Sequence, residues 1–310
     1  YGDALHNVLN MAYLIGQYGF MPNAAVTGML NRSQPPLFGV MVQDILPHTT
    51  EEQRHTLIDA MEREYGFWTS RRTLPSGLNR YGNSADKATK QSMADEAEKR
   101  LSRKFTGVDR ETLGNNILAE CESGWDFSPR FDFHCTDCAP VDLNSILYHY
   151  ENLLAEYVPC KRDFYREAAD ARKERMYRYC FDGEKLTDAM PGKGFSGVTS
   201  AACALPFAVG LSTDKETLLR IVEKLEYPHG IAACEKTSDG FAPQWGYPNM
   251  WAPLVWFVYR ALETLGLHED SVRIGNKYLS AVEESFAATG KLWEKYDAVH
   301  GGKATVNEYT

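Results

Sequence analysis

Carboxylates placed beside aromatic rings at helix ends are the residues of this 310-residue chain best suited to chemistry. Asp126 is one, in the stretch Glu122-Ser123-Gly124-Trp125-Asp126-Phe127-Ser128-Pro129-Arg130. The run from Arg110 to Cys121 reads as a helix that Gly124 and Pro129 break, so Trp125 and Asp126 fall on a loop at its end. Apolar surface beside a carboxyl disfavours the charged form and raises its pKa, which suits proton transfer to a sugar. The indole ring can stack on a pyranose face. A competing reading makes Asp126 a cap for the next turn and Trp125 a core side chain, since Asp is a favoured cap. Leu292-Trp293-Glu294-Lys295-Tyr296-Asp297 sets a second carboxylate beside aromatic rings near a helix end. In Asn31-Arg32-Ser33-Gln34-Pro35-Pro36, Arg32 offers a planar fork of donors and Gln34 both donates and accepts. That pair suits sugar hydroxyls, with a surface salt link as the competing fate for Arg32.

The elements that must hold these residues read as helices. Residues 4–17 have helical spacing punctuated by Gly16 and Gly19. Pro35 and Pro36 hold an extended entry to an apolar helix from Leu37 to Ile45. Thr50 to Gln53 form a capping box for a helix carrying Leu57, Ile58, Met61 and Tyr65. Residues 75–90 are loop-like, and Asp86–Arg103 is a charged, solvated helix or a flexible excursion. Asp142 is expected to cap the clearest amphipathic helix, which ends before Pro159, and a second helix runs from Lys161 to Tyr179. Thr213 to Glu216 read as another capping box. Helices follow from Ala252 to Leu265 and from Val272 to Ala288. No alternating strand pattern and no fixed-period repeat appear. Helix, loop, helix throughout fits an all-α toroid of helix hairpins with the site built from loops at one end.

Composition bounds the partners. An apolar content of 44% supports a sizeable core in one large domain spanning 1–310. A net charge of −9 argues against nucleic acid, whose binding needs clustered Lys and Arg. No apolar run approaches the roughly 20 residues that span a bilayer. Seven cysteines cannot all pair within the chain, which favours free thiols and a reducing, cytoplasmic setting. Cys135 and Cys138 behind His134 make half of a zinc pattern without a second half, so no structural metal is expected. Met190-Pro191-Gly192-Lys193-Gly194 lacks the ending of a phosphate-binding loop.

Five motifs occur in one order: Asn31 to Pro36, Glu122 to Ser128, Val141-Asp142-Leu143-Asn144, Gln244-Trp245 through Trp251-Ala252-Pro253, and Glu294-Lys295-Tyr296-Asp297. Together they resemble the trehalase family, glycoside hydrolase family 37, over most of the chain. The resemblance implies an (α/α)6 barrel and an inverting α-glycosidase acting on a small carbohydrate without a cofactor. It carries the general acid onto Asp126 and the general base onto Glu294. Such a pair stands roughly 6.5–9.5 Å apart to admit a water. It also implies that Asn23, Arg32 and Gln34 meet sugar hydroxyls, that Gln244 belongs to the same site, and that Trp125, Trp245 and Trp251 form its apolar walls.

The chain departs from the family pattern in two loops. Gly246 stands where the pattern has Asp, and Gly82-Asn83-Ser84-Ala85-Asp86-Lys87 follows Tyr81 where a Pro-Arg-Pro-Glu-Ser loop is expected. A charged clamp on the substrate is therefore missing or replaced. The family's amino-terminal Trp-Asp motif is expected to lie upstream of residue 1. Its glycine-rich carboxy-terminal segment survives as Gly301-Gly302 and Glu308-Tyr309. Lost polar partners can change discrimination by orders of magnitude. Expected activities are therefore trehalose hydrolysis, the same chemistry on another α-linked di- or oligosaccharide, or sugar binding by a catalytically idle relative.

Overall fold

A computed structural model describes residues 2–238, 240 and 243–304. Glu308 and Tyr309 lie outside the described residues. Eleven α-helices dominate the described residues: α1 (Gly2–Tyr18), α2 (Phe38–Ile45), α3 (Glu51–Arg71), α4 (Lys87–Arg100), α5 (Arg110–Ser123), α6 (Val141–Tyr157), α7 (Arg162–Tyr179), α8 (Leu205–Ala208), α9 (Lys215–Leu225), α10 (Ala252–Thr264) and α11 (His268–Thr289). Sequential neighbours pack as hairpins, notably α4 with α5, α6 with α7 and α10 with α11. Helices α1 and α6 also pack on α3. The architecture is all-α, as the helix–loop–helix pattern implies. No helix is long and apolar enough to cross a membrane among the described residues.

The helix ends follow local chemistry. Thr50 and Gln53 make the reciprocal capping box that starts α3. Asp109 accepts the Thr112 N–H at 2.9 Å and starts α5. Gly124 ends α5 in the left-handed region at φ 74°, where a residue without a β-carbon carries no steric penalty. Two cap assignments differ from expectation. Helix α6 begins at Val141 behind Pro140, so Asp142 lies inside its first turn, where Arg130 recruits its carboxylate. Helix α9 is capped by Asp214, whose Oδ1 accepts from the Glu216 and Thr217 N–H groups, in place of a Thr213 box. A carboxylate there outcompetes the weaker hydroxyl one residue earlier.

Asp86–Arg103 resolves into helix α4, which is not wholly solvated. Ala94 and Ala97 are buried against Leu113, Ile117, Cys121 and Phe127 in a satellite core. The backbones approach closely at Gly114, where a β-carbon would overlap the Lys90 carbonyl oxygen. Helix propensity alone favours alanine over glycine by about 1 kcal/mol. Overpacking at rigid backbone costs about 1–3 kcal/mol or more and decides the sign. Gly114→Ala is therefore expected to lower stability in urea denaturation, and a variant as stable as the parent would contradict this packing.

Six two-residue strands complete the described fold, and one pair bears on the site. Strand β5 (Asn249–Met250) pairs antiparallel with β6 (Tyr296–Asp297), with Asn249 opposite Asp297 and Met250 opposite Tyr296. This pairing fastens the 244–251 loop to the 294–297 loop across the α10–α11 hairpin. The other two pairs, β1 (Ala189–Met190) with β2 (Gly194–Phe195) and β3 (Glu226–Tyr227) with β4 (Gly230–Ile231), are local hairpins.

Candidate active site

A cavity of about 510 Å³ opens among the loops at the helix ends and is lined by both Asp126 and Glu294. Asn23, Gln34, Trp125, Gln244, Trp245 and Trp251 line it as well. Loops more than 150 residues apart in sequence (294 − 126 = 168) thus contribute one carboxyl each to a single space. Arg32 is the one expected site residue not on the lining. It is near enough to Asp126 for its positive charge to oppose the upward push of burial on the Asp126 carboxyl.

The loop that carries Asp126 is held by buried polar contacts. Trp125 N–H donates to Ser123 Oγ at 3.0 Å as the chain leaves α5. The buried Arg130 guanidinium reaches Asp188 through Nε and Nη2, both at 2.8 Å, and Asp142 through Nη1 at 2.9 Å. The same guanidinium stacks 4.1 Å from the Trp125 ring centroid. Glu122, also fully buried, accepts from Ser33 N–H at 2.8 Å, from Arg72 through two bonds at 2.8 Å and from Gly82 N–H at 2.6 Å. Four bonds satisfy its two oxygens, so one carboxylate ties the Arg32–Gln34 loop and the Gly82 loop to the end of α5. Asn23 Nδ2 donates to the Cys121 carbonyl at 3.0 Å, and Gln34 Nε2 donates to the Asn23 carbonyl at 3.3 Å.

Burial pushes the Asp126 carboxyl above the ordinary aspartate range, against the opposing influence of Arg32 and of the Cys121 thiol. Glu294, by contrast, is exposed to solvent. One cavity is thus lined by a buried carboxyl, Asp126, and a solvent-exposed one, Glu294.

The aromatic wall is both core and lining. Trp245 and Trp251 stack face to face with centroids 3.8 Å apart, and Trp125 lies tilted 5.5 Å from Trp245. Trp251 Nε1–H donates to the Gln244 carbonyl at 2.9 Å, so its ring is fixed. Gln244 Oε1 accepts from Lys295 Nζ at 3.4 Å, beside the residue before it, Glu294. The two alternatives for Trp125 are therefore compatible: it is buried in the main core and also borders the cavity.

Both departures from the family pattern have a structural account. At Gly246 a β-carbon would lie 2.9 Å from Pro243 Cδ and 3.3 Å from the Pro243 carbonyl oxygen, so this tight turn disfavours a side chain. In the other loop Asn79 bonds to Asn144, Gly82 to Glu122, and Asn83 to Asn115. These residues brace the scaffold and do not line the cavity, and no Lys or Arg lines it among the described residues.

Residues that local patterns miss also border the cavity. Asp142 and Glu64 line it, although one reads as a helix cap and the other as a polar position on an amphipathic helix. Gly39 is the indirect signal for Glu64. A β-carbon there would lie 2.8 Å from the Tyr150 ring, so the glycine lets α2 approach Tyr150, whose hydroxyl bonds Glu64. Cys135 and Cys138 are buried thiols, and no cluster of three or more His, Cys, Asp or Glu suited to a metal occurs among the described residues.

Known proteins resemble the chain in sequence and in fold. The chain is 30% identical to the periplasmic trehalase of Xanthomonas axonopodis pv. citri, covering 94% of this chain and 57% of that protein. It is equally similar to the periplasmic trehalase of Xanthomonas campestris pv. campestris, with the same 94% and 57% covered. The chain thus spans little more than half the length of these relatives. Its fold matches neutral trehalase Nth1 from Saccharomyces cerevisiae with a TM-score of 0.81 at 24% identity, covering 98% of this chain and 66% of that one. It also matches a GH63 mannosylglycerate hydrolase from Thermus thermophilus, solved in complex with glucose, with a TM-score of 0.61 at 15% identity, covering 90% and 72%. The trehalase family model matches residues 4–310, and the chain belongs to the trehalase family.

Proposed function

We propose that this cavity hydrolyses trehalose or a related α-glucoside with inversion, Asp126 acting as general acid and Glu294 as general base. The observation that carries this reading is the meeting of a shielded and a solvated carboxyl in one cavity against the Trp245–Trp251 wall. Glu294 takes a proton from water as the water oxygen attacks the anomeric carbon. Asp126 gives its proton to the glycosidic oxygen as the carbon–oxygen bond breaks. In this reading Asn23, Gln34 and Gln244, which line the cavity, bond sugar hydroxyls, while the charge of Arg32 acts on Asp126. The names of the relatives favour trehalose as the substrate.

A second reading keeps the chemistry and changes the sugar. It is favoured by the two loops that depart from the family pattern, at Gly246 and at Gly82–Lys87. The test is a panel of α-linked disaccharides followed by proton NMR of the first products. Equal initial amounts of β-glucose and α-glucose from trehalose are expected for inversion at one of its two anomeric carbons. Turnover of other disaccharides alone would favour the second reading. Release of α-glucose alone, or sugar binding without turnover, would overturn inverting hydrolysis.

A further inference from the structure

The cavity has a polar group that the proposed acid–base chemistry does not use. Glu64, on α3, is fully buried and borders the cavity among apolar side chains of other helices, including Met11 of α1, Phe38 of α2, Ile146 of α6 and Phe257 of α10. Its Oε2 accepts from the Tyr150 hydroxyl at 2.9 Å. Its Oε1 has no hydrogen-bond partner among the described residues. Leaving a buried polar atom unpaired costs about 1–3 kcal/mol, so native folds seldom keep one without a use.

We infer that Glu64 is a substrate-positioning residue whose unpaired oxygen bonds a hydroxyl group of a sugar seated against the apolar floor. The inference rests on the glycosidase reading of the same cavity. Burial pushes the Glu64 carboxyl up to about 8 against the opposing bond from Tyr150, so at neutral pH the group is uncharged and can donate. A neutral carboxyl can donate to a sugar hydroxyl, and an ionised one can only accept from it. Tyr150 on α6 bonds it, and the other titratable groups on the cavity lining are Cys121, Asp126, Asp142 and Glu294. From α1 and α2 the lining side chains that face it are uncharged.

The test measures binding of trehalose and of glucose by tryptophan fluorescence in an Asp126→Asn background, which prevents turnover and removes the titration of Asp126. Glu64→Met, which deletes both oxygens, is expected to weaken binding by about tenfold or more. Glu64→Gln keeps a donor and an acceptor, and its affinity is expected to stay within about threefold of the parent. The parent is expected to lose affinity as pH rises past about 8, and the Gln variant to stay flat. Circular dichroism checks that both variants fold. Should Glu64→Met misfold, the Gln variant and its pH profile decide alone. Unchanged affinity in a folded Glu64→Met, or a pH profile in Glu64→Gln that matches the parent's, would overturn the role of Glu64 alone. Absence of sugar binding by the parent would overturn the glycosidase reading and this inference with it.

Discussion

Asp126→Asn and Glu294→Gln are each expected to lower kcat by at least about a thousandfold while leaving the dissociation constant for sugar within a few fold. General acid or base catalysis contributes about 10²–10⁴-fold per group, and in the proposed mechanism both groups act on the same bond-breaking event. Each substitution keeps a hydrogen-bonding side chain of similar shape, so ground-state binding survives. Steady-state turnover and equilibrium binding measured on the same samples separate the two quantities. A variant that keeps activity within tenfold of the parent would remove its residue from the reaction.

The two carboxyls also make different pH predictions. Because burial raises the Asp126 pKa, its protonated form, the competent one in the proposed mechanism, persists above the ordinary aspartate range. The alkaline fall of kcat/KM is therefore expected to lie above that range. Linkage gives the sign for stability. A carboxyl raised in the folded state contributes stability that is present below its unfolded pKa and lost as pH rises through its folded pKa. Asp126→Asn is thus expected to unfold at the same or a higher temperature than the parent at neutral pH, with the difference shrinking in acid. Lost activity together with unlowered Tm separates a chemical role from a folding defect.

Arg130→Met is expected to be the most destabilising single change near the site, at about 3–5 kcal/mol. Removing one partner of a buried ion pair leaves uncompensated charge, which costs that much. Here the remaining partners are two buried carboxylates, Asp142 and Asp188, each bonded by the one guanidinium. Asp188 also accepts the Val141 N–H at 2.9 Å, so it retains a partial partner. Adding Asp142→Asn and Asp188→Asn to Arg130→Met is expected to restore part of the loss, since both orphaned charges are then neutral. Urea denaturation of the single and triple variants measures both effects. A single variant within about 1 kcal/mol of the parent would show that the network is not what holds the acid loop.

The site consequence of that network is specific. Arg130 stacks on Trp125, and Glu122 joins the 33 and 82 loops to the end of α5. Asp126 sits between these two buried anchors in sequence, on a turn too short to drift independently. The two departures from the family pattern lie in the same scaffold: the Gly82 amide completes the Glu122 cage, and Gly246 completes a turn behind the Trp245–Trp251 stack. These positions shape what the walls present without contributing a side chain to the cavity.

The sequence by itself determined the helices, the breaks between them and the candidate acid and base. These are local properties: hydrophobic spacing sets helix faces, Gly124 sets a helix end, and Thr50 with Gln53 sets a helix start. It mistook Asp142 for a cap because a carboxylate at a helix start has the same local pattern whether it bonds backbone or a distant arginine. It also overlooked Glu64, because an acidic residue on an amphipathic helix ordinarily faces water. Only the tertiary structure decided that Asp126 and Glu294 line one cavity, that the charge of Arg32 acts on Asp126, and that Glu64 borders the same cavity with one carboxyl oxygen unpaired. The physical reason is that burial, and with it pKa and hydrogen-bond demand, is set by side chains distant in sequence, such as the Arg72–Glu122 and Arg130–Asp188 pairs that span 50 and 58 residues.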